Sequence, residues 1–230
     1  MGTSVHRRLA APSLAALLAA AAVPAHAGGG AHIVDDAEVQ EPGECQVEGW
    51  ATFARGARLA VVAPSCTPGD APRFDVGAEL SYSREGGDRD VVLGPTVKYA
   101  LLPARRGVAV ALSGAAGISV VDRRLGSASL VMPVTFDLDP RLRLNLNAGW
   151  AWTRGAVGHR ATWGAQIVHE ASEQLLVMAE AFVGDTGEKG LQTGLRWTPP
   201  GARFDVDLLY RADRDGGIGE AVTFGLTFRR

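Results

Sequence analysis

The chain has 230 residues, 47% hydrophobic and 21% charged, with a formal net charge of −2 and two cysteines. That balance excludes a disordered or collagen-like chain and argues against a nucleic-acid binder, which would show a clustered basic excess. All 15 aromatic residues lie beyond position 49, so the first fifth of the chain has none.

Residues 1–27 start with His6, Arg7 and Arg8, continue through an apolar run from Leu9 to Val23, and close on Ala25-His26-Ala27. A basic start, a short Ala-rich stretch and a small-x-small site predict a cleaved secretory signal peptide. No Cys follows the cleavage site, so no lipid anchor is expected. Removal takes Arg7 and Arg8 and no acid, shifting the formal charge from −2 to −4. Beyond it no run of about 18 apolar residues could cross a membrane as a helix. Any crossing must be made by strands.

From residue 45 the pattern has period two. Phe74, Val76, Ala78, Leu80 and Tyr82 alternate with Asp75, Gly77, Glu79 and Ser81. Leu142, Leu144, Leu146, Ala148, Trp150 and Trp152 alternate with Arg143, Asn145, Asn147 and Gly149. A helix would scatter these apolar residues round its surface, whereas a strand gathers them on one face. The alternation predicts twelve strands, within a range of ten to fourteen, near 45–53, 58–64, 73–83, 90–101, 107–120, 127–139, 141–153, 160–169, 173–183, 190–198, 203–211 and 220–229. Their length suits a bilayer, which about 9–11 tilted residues cross. Strands of soluble proteins average about 5–6. The fold class is all-β, an antiparallel up-and-down transmembrane barrel over 45–230 in the bacterial outer membrane.

With the N-terminus periplasmic, odd strands run outward and even strands return. The outward ends then collect Phe53, Tyr82, Trp150, Trp152, Trp163 and Tyr210. The periplasmic ends collect Phe74, Tyr99, Phe136, Trp197, Phe204 and Phe228. Two such belts are expected of rings at the two water–lipid interfaces. Trp50 and Phe182 break the pattern, since their parity points them inward. The opposite face carries the lumen-lining candidates Glu48, Asp75, Glu79, Lys98, Arg143, Asn145, Asn147, Gln166, Glu180, Gln192, Arg196, Asp205 and Asp207. Glu180, Arg196 and Asp205 are placed to pair across adjacent strands, as are Glu79 and Lys98. Mixed charge of this kind suits a narrow polar pore and a closed, salt-bridged interior alike.

The outward connections are rich in Gly and Arg, and they suit contact with lipopolysaccharide phosphates or plain solvation. Cys45 opens the first strand and Cys66 follows the second, so both fall at the periplasmic rim of neighbouring strands. In an oxidising compartment they are expected to pair, closing a loop of about 20 residues worth about 3 kcal/mol. The remaining His are His32 in the lead-in, His159 in an outward loop, and His169 in a periplasmic turn beside Glu170 and Ser172. No motif of nucleophilic, metal or phosphate chemistry appears, so no enzyme activity, metal or cofactor is expected.

The segment Asp35-Asp36-Ala37-Glu38-Val39-Gln40-Glu41-Pro42-Gly43-Glu44-Cys45-Gln46-Val47-Glu48 resembles the opening of a family of outer-membrane transporters named for the meta-pathway of phenol degradation. The resemblance implies a small barrel that passes hydrophobic or aromatic small molecules, and it brings no catalytic residues. Residues 28–44 then form a lead-in, expected as a flexible tail, with a small plug in the barrel mouth as the alternative. Two functions remain open: a passive channel for a small solute, and a closed structural or surface-interaction barrel binding lipopolysaccharide or a partner.

Overall fold

A computed structural model describes residues 31–105, 107–155, 158–184, 188–214 and 217–230. The signal-peptide expectation for 1–27 lies outside the described residues. The alternating stretches form β1 (Cys45–Ala54), β2 (Ala57–Cys66), β3 (Phe74–Glu85), β4 (Asp88–Arg105), β5 (Val108–Ser119) and β6 (Arg124–Asp139). They continue as β7 (Leu142–Thr153), β8 (Gly158–Ser172), β9 (Leu175–Val183), β10 (Lys189–Trp197), β11 (Phe204–Arg214) and β12 (Glu220–Arg229). Each pairs with its neighbours in sequence, and β1 closes antiparallel on β12. Closure leaves no sheet edge unpaired.

Several strands run further than the alternation indicates. β4 continues through Pro103 because its pairing with β5 shifts register between Ala100 and Leu102 and again between Leu102 and Arg105. Such bulges absorb a residue that has no N–H to donate. β8 extends at both ends, so His159, His169, Glu170 and Ser172 are strand residues and not parts of connections. The ladder persists there because hydrogen bonding between strands does not require an alternating side-chain pattern.

Burial is inverted relative to a water-soluble protein. Along β12, Ala221, Thr223, Gly225 and Thr227 face inward while Val222, Phe224, Leu226 and Phe228 face out. Thr223 is 4% exposed and Phe224 54%. A wall in contact with hydrocarbon needs this arrangement. At the rim that carries both ends of the barrel, Phe74 packs on Tyr99 with ring centroids 4.6 Å apart, and Phe204 on Phe228 at 5.7 Å. Phe136 and Trp197 lie toward the same rim, at the end of β6 and the end of β10. Toward the opposite rim, Phe53, Tyr82, Trp150, Trp163 and Tyr210 are exposed, and Trp152 sits under the Arg154 guanidinium at 5.7 Å.

Cys45 and Cys66 are cross-strand partners joined by a disulfide, with Cα atoms 4.0 Å apart. Beside it, Cys45 and Arg230 exchange backbone hydrogen bonds of 3.2 and 2.9 Å, which extends the β1–β12 seam to the rim. Trp50 and Phe182 lie inside the barrel. Trp50 joins Ala31, Val61, Met178 and Leu209 in a small apolar cluster, and Phe182 packs under the Arg211 guanidinium at 4.7 Å.

Of the lead-in, residues 31–44 are described, and this part does not trail away from the barrel. From the terminal rim it turns back into the lumen, where Ala31, His32, Val34, Asp35 and Ala37 are buried. Ala37 rests on Ala109 and Ala111 of β5. The small side chains of that strand make a seat for it.

Candidate functional site

Inside the barrel, five side chains from five successive strands form one polar ladder. Thr135 on β6 donates to Asn145 on β7 at 2.8 Å, and Asn145 donates to Gln166 on β8 at 2.6 Å. Gln166 donates to Glu180 on β9 at 3.1 Å, and Gln192 on β10 donates to the same carboxylate oxygen at 3.3 Å. All four links join cross-strand partners, so the register alone brings these residues to one level. Their burial is tolerable because each finds a partner.

The N-terminal segment lies across this ladder and is held by its backbone. Gln192 donates to the Ala31 carbonyl at 3.3 Å, and Glu180 accepts from the Ile33 and Val34 amides at 3.0 and 2.9 Å. Thr135 accepts from the Ala37 amide at 2.9 Å. With its amide turned to satisfy both groups, Asn147 donates to the Asp35 carbonyl at 2.9 Å and accepts from the Asp35 amide at 2.7 Å. Further along, Gln40 donates to Ser65 and Asp75 at 2.7 and 2.9 Å. The segment is thereby fastened to most of the circumference.

Ion pairs reinforce it. His32 Nδ1 lies 2.9 Å from Glu180, and Nε2 lies 3.7 Å from Asp207. Burial works against a charged His32, but the flanking Asp207 and Glu180 carboxylates outweigh it, and the ring pKa is raised to about 9. Lys98 meets Asp35 at 2.8 Å and Asp36 at 3.8 Å, and Arg143 meets Glu38 at 2.9 Å and Asp137 at 3.0 Å. Burial, and then the neighbouring Asp36, raises the Glu38 carboxyl above its ordinary value despite Arg143.

These contacts correct two of the expected pairings. Arg196 is the register partner of Asp207, not of Glu180 or Asp205, and it forms a two-pronged pair with Asp207 at 2.7 and 2.9 Å. Asp205 instead accepts from Thr198 at 2.7 Å and from Arg229. Lys98 turns to the N-terminal segment and not to Glu79, whose cross-strand partner is Gly94. Glu48 and Glu79 have no hydrogen bond or ion pair among the described residues. The sequence alone leaves residues 28–44 as a tail or a plug and names none of His32, Asp35, Asp36, Glu38 and Gln40 as a lumen residue, since nothing in a polar lead-in marks which wall it meets. The one usable signal was the row of small inward residues, Ala109, Ala111, Gly164 and Gly225, opposite an interior otherwise rich in long side chains.

A cavity of about 520 Å³ lies between the segment and the terminal rim. Glu48, Asp75, Glu79, Arg143, Arg196 and Trp50 line it with Asp36 and Glu38 of the segment. Its walls hold ten carboxyl side chains against five Lys and Arg and one His, so its field favours cations. Toward the other rim, Arg211 is held between Asp213 at 2.5 Å and Glu188 at 3.5 Å, over Phe182. His159 stacks on Trp150 at 5.4 Å, and His169 pairs with Leu142 and Val177 in the ladder. Among the described residues neither His has a carboxylate or hydroxyl partner of the kind nucleophilic catalysis requires.

The same architecture occurs in solved channels. The KdgM porin superposes with a TM-score of 0.64 at 7% identity, covering 80% of this chain and 98% of that one. The NanC porin gives 0.57 at 13% identity, over 80% and 98% of the two chains. The COG4313 outer membrane channel from Pseudomonas putida F1 gives 0.55 at 11% identity, over 85% and 98%. At these identities the likeness establishes the fold, that of outer-membrane porins and channels. No curated protein matches the chain. A family model described as uncharacterised conserved protein UCP029691 matches residues 15–230.

Proposed function

The chain belongs to that UCP029691 family, and we propose that it is an outer-membrane channel for small polar solutes, cations above all, closed at rest by its own N-terminal segment. In this reading residues 1–27 are the export signal, 28–44 the plug and 45–230 the barrel. The terminal rim faces the periplasm, and the Arg-bearing connections at the other rim face lipopolysaccharide. One observation carries it. A closed barrel with an apolar outer wall encloses a charged, acid-rich cavity of about 520 Å³ that is of no use to a purely structural wall. A hydrophobic or aromatic cargo, the one implied by the resemblance at 35–48, would meet carboxylates instead of an apolar lining.

The closed surface-interaction barrel stands as the second reading, favoured by the segment that fills the lumen at the level of Glu180. Fractionation with outer membranes and heat-modifiable gel mobility test the barrel that both readings share, and conductance in planar bilayers separates the two. The channel reading expects a current with a reversal potential displaced toward the cation in a salt gradient. Folded protein that passes no current at any pH between 6 and 10 would leave the barrel and remove the channel. A reversal potential displaced toward the anion would remove the cation preference.

A further inference from the structure

The wall that holds the N-terminal segment has the make-up of a receptor. Glu180, its side chain fully buried, accepts from His32 Nδ1 and from two consecutive amides, those of Ile33 and Val34. Asp207 stands 3.7 Å from the other ring nitrogen, so carboxylates from β9 and β11 bracket a single cation. Next to them the wall drops to bare backbone. A Cβ at Gly164 would lie 2.6 Å from Val34 Cγ2, and one at Gly225 would lie 3.2 Å from the Ala31 Cβ. The wall therefore supplies a carboxylate pair, acceptors for adjacent N–H groups and a hollow for a small branched apolar group. A barrel interior can be satisfied more cheaply, by side chains that meet across the lumen.

Withdrawal of the segment would not leave this site at rest. Asp207 keeps Arg196, and Glu180 keeps only the amide donors of Gln166 and Gln192. A carboxylate buried without its cation is strongly unfavourable. The vacated wall therefore presents an under-compensated carboxylate beside Asp207 to a cation that enters the lumen and covers it again.

We propose that this wall is a solute-binding site for a compact organic cation, an ammonium or guanidinium group next to a small branched apolar group, and that the N-terminal segment is a built-in competitor occupying it. The inference rests on the channel reading and names its substrate class. Solute and segment exclude one another, so arrival of the cation and opening of the lumen are one event.

The test uses the full mature chain in planar bilayers, with ethylguanidinium and its neutral isostere N-ethylurea added on the terminal-rim side. His32→Ala loosens the segment without touching the wall. In that variant ethylguanidinium is expected to halve the current at a concentration at least tenfold below that of N-ethylurea. Wild type, closed by the segment, should instead gain current as ethylguanidinium displaces it, with a half-maximal concentration several-fold above the half-blocking one of His32→Ala, because the segment competes. Glu180→Gln should bring the two probes within twofold of each other, and Asp207→Asn serves the same comparison if the first variant does not show folded, heat-modifiable mobility. Equal half-blocking concentrations in His32→Ala, or a difference that survives loss of the carboxylate, overturn the proposal. If no folded protein conducts, the channel reading falls, and calorimetry on detergent-solubilised His32→Ala decides the site alone. Tighter binding of ethylguanidinium by tenfold sustains it, and equal binding refutes it.

Discussion

Raising the pH should release the N-terminal segment, and the size of the effect follows from His32. Docked between Glu180 and Asp207, with Arg196 nearby as the opposing charge, the ring titrates at about 9, against 6.5 for the ordinary side chain. A group whose pKa is raised in the docked state contributes fully below the undocked value and loses its contribution as pH climbs through the docked one. Docking should hence be strongest below pH 6.5 and weaken up to and beyond pH 9. Between pH 7 and pH 10 the ratio of docked to withdrawn segment falls about 70-fold, or about 2 to 3 kcal/mol. Glu38, also raised, shifts the balance in the same direction. Bilayer conductance recorded from pH 6 to 10 reads the open fraction, and amide exchange at Ile33 and Val34, which donate to Glu180, reads docking independently. His32→Gln should flatten most of the dependence. A current that stays level or falls between pH 7 and 10, with exchange at those amides unchanged, would refute the reasoning.

Other outcomes follow from the packing. Gly164→Ala places a methyl group 2.6 Å from Val34 Cγ2, so it should expel the segment and raise conductance while leaving the barrel's thermal midpoint within a few degrees of wild type. Gly149→Ala meets the Leu130 carbonyl at 2.6 Å, within the wall itself, so it should lower that midpoint without opening the lumen. Phe224→Arg puts a charge on the lipid-facing wall and should cost about 2–4 kcal/mol in urea unfolding from vesicles if the residue lies near the bilayer midplane. Reduction of the Cys45–Cys66 bond should lower stability by about 3 kcal/mol in the chain-entropy account, read as an earlier loss of heat-modifiable mobility.

Period two made the wall legible. Phe74 to Tyr82 or Val222 to Phe228 declare their faces without any knowledge of neighbours, because a strand turns each successive side chain through half a revolution. The same periodicity placed Cys45 and Cys66 at one rim, since hairpin topology brings the start of one strand beside the end of the next. Pairings within the lumen were less legible. Whether Arg196 meets Asp207 or Asp205 depends on a register that turn lengths and bulges set, and a slip of two residues, which keeps every side chain on its face, exchanges one partner for the other. The inward parity of Trp50 and Phe182 looked like an exception to the aromatic belts. Trp50 turns out to cover Ala31, and Phe182 lies beneath Arg211. His32 carried no local sign of its role at all, because its partners stand 148 and 175 residues further along the chain.

Only four residues separate Gln40, bonded to Asp75, from Cys45, which the disulfide and the β1–β12 seam anchor to the rim. A tether that short keeps the segment's effective concentration at its own binding site in the millimolar range. A solute present at micromolar levels meets an opponent that is always there at about a thousandfold excess. The linker thus works as a threshold. It leaves the barrel indifferent to traces and responsive to abundance, and lengthening it would retune that set point without altering a single contact in the lumen.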